Sequence, residues 1–105
     1  MAKKMKPIHP GEHLREDFLK PLGLSSNALA QAIEVTPARI NEILRELRAI
    51  TADTALRLAR FFGTDAQSWL NLQSHYDIRC AEDAAGQATK RIRPCRTVSK
   101  ATALA

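Results

Sequence analysis

Residues 29–44, LAQAIEVTPARINEIL, contain two short helical patterns separated by a tight turn. The first pattern places Leu29 and Ile33 on one side, as an amphipathic helix requires. A start signal for the second helix follows the turn, because Thr36 can act as the N-cap and Pro37 suits the first helical position. This combination predicts a helix-turn-helix.

The second of these helices, predicted over residues 36–47, has an apolar stripe and a polar face. Its stripe is formed by Ile40, Ile43, Leu44 and Leu47. Burial of that stripe leaves the opposite face outside, and this face is small, polar and narrow enough for the major groove of DNA. The candidate DNA-binding residues are Ser26, Thr36, Pro37, Ala38, Arg39, Asn41, Glu42, Arg45 and Arg48.

Individual roles follow from the chemistry of these side chains. Arg39 and Arg45 can reach base edges or phosphates, and Glu42 can accept a hydrogen bond from a cytosine amino group, although phosphates usually repel a carboxylate. Ser26 can direct its hydroxyl and helix amides to a phosphate, and Arg48, just past the helix, can clamp another. The alternatives are a solvated helix face and, for Ser26, a simple helix cap.

Three further helices complete the predicted all-α domain. The first spans residues 10–21, the fourth follows an N-cap at Thr51, and the fifth opens with a capping box at residues 64–67. Ser25 or Ser26 starts the second helix. We find no convincing strand pattern, so five helices form one small domain.

The chain has a net charge of +5, but its basic residues are concentrated at the two ends. Residues 7–85 hold eight basic and eleven acidic side chains, so the overall charge is weak evidence for DNA binding. We predict a flexible basic N-terminus at residues 1–7, a helix-turn-helix DNA-binding domain at residues 8–85 and a tail at residues 86–105. The tail lacks apolar periodicity and is expected to be disordered or only locally ordered.

Other functional classes have little support. Cys80 and Cys95 are 15 residues apart without a CxxC pair, so we expect reduced thiols. His9 and His13 flank Pro-Gly-Glu, which is not a zinc-protease order, and no third ligand is indicated; we expect no metal and no cofactor. We expect no enzymatic activity, since no catalytic trio or phosphate loop is present. Without an apolar span or secretory signal, a cytoplasmic location is predicted and no membrane partner is expected.

Three motifs and a short N-terminal match resemble one known family. The motifs are TPARINEIL at residues 36–44, ITADTALRLARFFG at residues 50–63 and SWLNLQSHYD at residues 68–77, preceded by HPGE at residues 9–12. In this order they resemble the HigA antitoxins, also known as virulence-associated protein I, a branch of the phage-repressor-like helix-turn-helix proteins. The resemblance implies a homodimeric DNA-binding antitoxin that pairs with a HigB-type ribosome-dependent mRNA interferase and represses its own operon. It covers about residues 8–83.

Two positions depart from the family pattern. Glu34 stands in the turn, and Glu46 stands after the second helix of the motif, where glycine is common. A side chain in the left-handed conformation costs about 1 kcal/mol, so we expect the turn to survive.

The fifth helix offers a candidate dimer contact. Its large side chains are Trp69, Leu70, Leu72 and Tyr76. A helix-turn-helix monomer contacts one half-site, and aromatic residues are favoured in homodimer contacts, so these residues are predicted to mediate dimerisation. The alternative is that they close the core of the monomer.

We therefore predict a repressor and antitoxin that places residues 36–47 of each subunit in successive major grooves of a palindromic operator. One alternative is a protein that mainly binds a toxin, with Glu12, Glu16 and Asp17 as the acidic surface for a basic partner. The other is a phage-type regulator without a toxin partner. The neighbouring gene would separate the first prediction from the last.

Overall fold

The computed structural model describes residues 6–95, and its regular elements there are all helices. The first helix, α1 (residues 10–22), is continuous, with a π-helical middle part; its parts are Pro10–His13, Leu14–Leu19 and Lys20–Leu22. The others are α2 (Ser26–Ile33), α3 (Pro37–Leu44), α4 (Ala52–Phe62) and α5 (Ala66–Lys90). The predicted five-helix, all-α, phage-repressor-like architecture is confirmed.

The start of α1 packs directly on the end of α3. His9 is the N-cap of α1, and its ring nitrogen Nδ1 accepts a hydrogen bond from the Gly11 amide at 2.9 Å. A Cβ atom on Gly11 would collide with the backbone carbonyl oxygen of Ile43. The His-Pro-Gly sequence therefore gives both a helix cap and a close helix contact.

The two-helix motif has the local chemistry that the sequence predicts. Ser25 caps α2 by accepting from the Ala28 amide at 3.0 Å, and Thr36 caps α3 by accepting from the Arg39 amide at 3.2 Å. Glu34 ends α2 with a φ of 61°, the left-handed conformation that glycine often supplies. The turn thus forms with a non-glycine residue.

The prediction that α3 continues to Leu47 was wrong. The helix ends at Leu44, and Glu46 has a φ of 64°. The Leu47 amide donates to the Glu42 carbonyl at 2.8 Å, and the Glu46 amide donates to the Ile43 carbonyl at 2.9 Å. These two bonds form a Schellman motif, which reverses the direction of the chain. Leu47 is consequently 67% exposed and does not belong to the buried stripe.

The predicted cap of α5 was one residue early. Asp65, not Thr64, is the N-cap, and its carboxylate accepts from the Ser68 amide at 3.0 Å. The Thr64 hydroxyl instead accepts from the Trp69 indole nitrogen at 2.9 Å. Gln67 bonds to Asn71 and so closes no capping box.

The core lies between α3 and the surrounding helices. Its fully buried side chains include Leu14, Leu29, Ile40, Ile43 and Leu58. α5 continues through residues 86–90 beyond a kink at Ala85, where φ is −135°. The start of the predicted tail is therefore locally ordered, and residues 96–105 lie outside the described part of the chain. Within residues 6–95, no helix has both the length and the apolar character to cross a membrane.

Candidate nucleic-acid interface

The recognition helix of the motif, α3, buries one side and exposes the other. Ile40 and Ile43 are fully buried. On the outside, Ala38 and Asn41 lie open to solvent, and Arg45 is exposed at the C-cap. Thr36 and Pro37 are exposed at the N-terminal end of the helix. This surface can enter a groove without displacing core side chains.

Arg39 leaves α3 sideways toward the start of α4. Its Nη1 atom donates to Asp53 Oδ2 at 2.8 Å and approaches the hydroxyl oxygen of buried Thr54 at 3.4 Å. The Arg39 side chain is 30% exposed. Arg39 is thus held at the edge of the exposed face.

Asp53 connects Arg39 to the turn of the motif through Arg57. The same Asp53 oxygen accepts from Arg57 Nε at 3.0 Å, while Arg57 Nη1 donates to the Ile33 carbonyl at 2.9 Å. Hydrogen bonds from Arg39, and then from Arg57, lower the pKa of Asp53 below its usual value. The spacing of four residues between Asp53 and Arg57 is visible in the sequence. The contact of Asp53 with Arg39 is not, because these two residues are 14 positions apart.

Two predicted DNA-binding residues bind each other. Arg48 Nε donates to Glu42 Oε1 at 2.8 Å across the reversal that ends α3. A phosphate clamp by Arg48 would therefore compete with this ion pair. Because Arg48 balances the charge of Glu42, this carboxylate repels nearby phosphates less than an unpaired one would.

Ser26 is the first residue of α2 and is not its cap. Ser25 makes the capping hydrogen bond, so the cap does not occupy the Ser26 hydroxyl. Ser26 is half-buried. Its predicted phosphate contact remains a prediction.

Arg15 of α1 supports the end of the recognition helix. Its Nη1 atom donates to the Leu44 carbonyl at 2.7 Å, and Nη2 lies 4.0 Å from the Glu46 carboxylate. A carbonyl at a helix C-terminus needs such a donor. No sequence spacing indicates this contact, since the two residues are 29 positions apart.

The acidic face of α1 is largely paired with neighbouring cations. Glu16 contacts Arg15 at 3.0 Å and Lys20 at 2.9 Å, and these hydrogen bonds, that of Lys20 first, lower the pKa of Glu16. Asp17 lies 3.1 Å from His13. The face is therefore less negative than the residues Glu12, Glu16 and Asp17 suggest, and its role as a toxin-binding surface stays a prediction.

Trp69 belongs to the core of the protomer and has no surface to share. It is 2% exposed, and its ring centroid lies 5.2 Å from that of Phe18. Leu70 and Leu72 are half-buried against the same core, and half-buried Tyr76 meets His9 edge-on at 4.8 Å. Of the four predicted dimerisation residues, three retain accessible surface.

The histidine pair at the start of α1 has structural roles. His9 is 3% exposed and uses Nδ1 in the cap, and burial lowers its pKa. His13 contacts Asp17. In residues 6–95 no three His, Cys, Asp or Glu side chains cluster as a metal site would require.

Known proteins resemble this chain in both sequence and fold. A family model described as helix-turn-helix matches residues 16–69. Virulence-associated protein I of Dichelobacter nodosus is 67% identical over 79 residues, which are 75% of this chain and 73% of that protein. Two solved structures are similar over most of their length. One is Pseudomonas aeruginosa antitoxin HigA with the higBA promoter, which is 49% identical with a TM-score of 0.81 over 84% of this chain and 97% of that one. The other is an addiction module antidote protein of a HigA family from Coxiella burnetii, which is 47% identical with a TM-score of 0.82 over 87% of this chain and 100% of that one.

Proposed function

This chain belongs to the helix-turn-helix family of DNA-binding HigA-type antitoxins, which are not enzymes, and on that premise we propose that it represses its own operon as a cytoplasmic homodimer. The observation that carries the DNA contact is the exposed side of α3. A proline start, a threonine cap and a buried stripe fix this helix, while Ala38, Asn41 and Arg45 stay outside.

The proposed contact uses three groups of residues. Arg39 and Arg45 read base edges or bind phosphates, and Asn41 can read adenine through its amide. Thr36, Pro37 and Ala38 form the thin end of the helix that enters the groove. Ser26 and Arg48 bind flanking phosphates, the latter after releasing Glu42.

The geometry of duplex DNA supports the proposed dimer. Two copies related by a twofold axis place their recognition helices in successive major grooves of a palindrome, about 34 Å apart. We propose that Leu70, Leu72 and Tyr76 of α5 form the shared surface. Linking two half-site contacts raises the affinity far above that of one protomer.

The experiment uses the duplex upstream of the chain's own reading frame. Fluorescence anisotropy is measured for the parent, for the double variant Arg39→Ala, Arg45→Ala, and for Arg60→Ala. Arg60 is exposed on α4 and lines a cleft with Ile33 and Glu34 at the end of α2, so its loss removes an arginine beside the motif without changing a residue of α3. We expect the double variant to lose about 1–3 kcal/mol per bidentate contact and Arg60→Ala to bind nearly as the parent does. A folded double variant with parental affinity would reject this surface.

We further propose that the protein neutralises a basic HigB-type mRNA interferase. Family membership supports this step, and Glu12, Glu16 and Asp17 provide the acidic surface on α1. Co-purification with the product of a small basic reading frame beside the gene tests it, with Glu12→Gln, Glu16→Gln, Asp17→Asn as the variant and Glu82→Gln as a charge control. Absence of such a neighbour would favour a regulator without a toxin.

A further inference from the structure

The guanidinium of Arg39 is fixed by a residue outside the two-helix motif. We infer that Asp53 is a positioning residue that makes Arg39 read a base edge, so that it sets the sequence discrimination of the protein more than its affinity. This inference rests on the proposed DNA contact of Arg39. Its structural basis is the contact of 2.8 Å between Arg39 Nη1 and Asp53 Oδ2.

Asp53 is itself held in place from a second side. Its Oδ2 atom also accepts from Arg57 Nε at 3.0 Å, and Arg57 Nη1 donates to the carbonyls of Ile33 at 2.9 Å and Glu34 at 3.3 Å. These carbonyls lie where α2 ends and the turn begins. Asp53 therefore fixes Arg39 relative to both helices that would face the DNA.

The contacts of Arg39 leave its Nε and Nη2 donors available for a base. Among residues 6–95, the guanidinium donates to Asp53 and Thr54, in both cases from Nη1, so neither bond uses Nε or Nη2. A bidentate contact to guanine needs two N–H donors held in the right plane for O6 and N7. An unrestrained arginine would reach phosphates as readily, and such contacts carry no sequence information.

The negative charge of Asp53 distinguishes positioning of Arg39 from mere stabilisation of the fold. A carboxylate beside the DNA-facing helix repels phosphates, so it lowers affinity for every sequence. Its removal should relax discrimination while non-specific binding stays equal or becomes tighter. A residue that only stabilised the fold would weaken binding to all sequences together.

The experiment selects bound duplexes from a randomised library and sequences them. The proteins are the full-length parent, Arg39→Ala, Asp53→Asn, the double variant, Asp53→Glu, and Glu82→Gln as a distant charge control on α5. We expect the parent to prefer guanine at one position of each half-site. Arg39→Ala and Asp53→Asn should each reduce that preference by about 5- to 150-fold, and the double variant no further.

Two further readouts complete the test. Binding to a fixed duplex lacking the selected sequence should be equal or tighter for Asp53→Asn, and helical circular dichroism should match the parent. If Asp53→Asn loses helical content, Asp53→Glu decides, because it keeps the charge but displaces the carboxylate; it should lower the guanine preference without weakening non-specific binding.

Different failures have different meanings. An unchanged base preference in a folded Asp53→Asn, or an additional loss in the double variant, overturns the role of Asp53 alone, provided that Arg39→Ala loses the preference. An unchanged preference in Arg39→Ala overturns the proposed DNA contact of Arg39 and this inference with it.

Discussion

Gly11 lies against the backbone carbonyl of Ile43, with no room between them for a Cβ atom. This contact joins the start of α1 to the last turn of the recognition helix. Arg15, one turn further along α1, donates to the neighbouring Leu44 carbonyl at 2.7 Å. α1 therefore supports the last turn of α3, although α1 contributes no predicted DNA contact.

Replacement of Gly11 by alanine should push α1 away from α3. We expect Gly11→Ala to lower the free energy of unfolding by about 1–3 kcal/mol, as overpacking against a backbone atom does, and to weaken DNA binding. Gly86→Ala is the matched control, because a Cβ there meets nothing within 4 Å and alanine favours a helix by about 0.5–1 kcal/mol. Thermal unfolding of both variants checks the prediction; a Gly11→Ala protein as stable as the parent would contradict the close contact.

The sequence predicts much of this arrangement because its signals are local. The Thr36 cap, the proline that follows it and the stripe of Ile40 and Ile43 are read within one helix. Glu34 and Glu46 depart from the family pattern in residue type, yet both adopt the left-handed conformation that glycine commonly supplies there. The end of α3 was placed too late because the helical spacing of Leu47 continues after the backbone has turned.

Contacts between distant segments were not predictable from spacing. The bond of Arg39 to Asp53 joins residues 14 positions apart, and that of Arg15 to Leu44 joins residues 29 apart. Likewise, periodicity alone could not tell a core residue from an interface residue on α5. Trp69 is in the core because the Phe18 ring and the Thr64 hydroxyl are within reach of its indole.

Folding stability should depend on the protonation of His9. The neutral Nδ1 atom accepts from Gly11, and burial lowers the pKa of His9 despite opposing effects of Glu46 and Asp77. Because the unfolded chain binds this proton more readily, the stabilising effect of neutral His9 is complete above about pH 6.5 and is lost as the pH falls from there toward the folded pKa. The Tyr76 ring, which meets His9 edge-on, stays neutral in this range.

Urea unfolding from about pH 5 to 8 measures this dependence. His9→Asn is the control, since asparagine can cap the helix but does not titrate, and the difference in unfolding free energy between the two proteins isolates the contribution of residue 9. We expect a flat difference above about pH 7 and a loss of parental stability below about pH 6.5. Parallel curves over the whole range would show that His9 does not carry the effect.

The basic C-terminal residues should add affinity for DNA without sequence preference. Deletion of residues 91–105 keeps α5 through Lys90 and removes Arg91, Arg93, Arg96 and Lys100. We expect weaker non-specific binding and a salt dependence flatter by about 0.9 in log–log slope for each phosphate that these residues neutralise, with nearly unchanged melting temperature. A full-length variant with these four residues replaced by glutamine should show the same weaker binding and flatter salt dependence as the deletion. A large fall in melting temperature on deletion would move the predicted domain boundary.

Polar replacement on α5 tests the proposed dimer surface. Leu72 and Tyr76 are half-buried in the protomer, so if a partner covers the rest, Leu72→Gln or Tyr76→Gln should give a helical monomer with sharply reduced operator affinity. Trp69→Ala is the matched core control and should unfold the protein, because loss of a buried aromatic side chain costs about 3–5 kcal/mol. Analytical sedimentation with circular dichroism separates these states. If Leu72→Gln and Tyr76→Gln remain both helical and dimeric, the dimer contact lies elsewhere on the protomer.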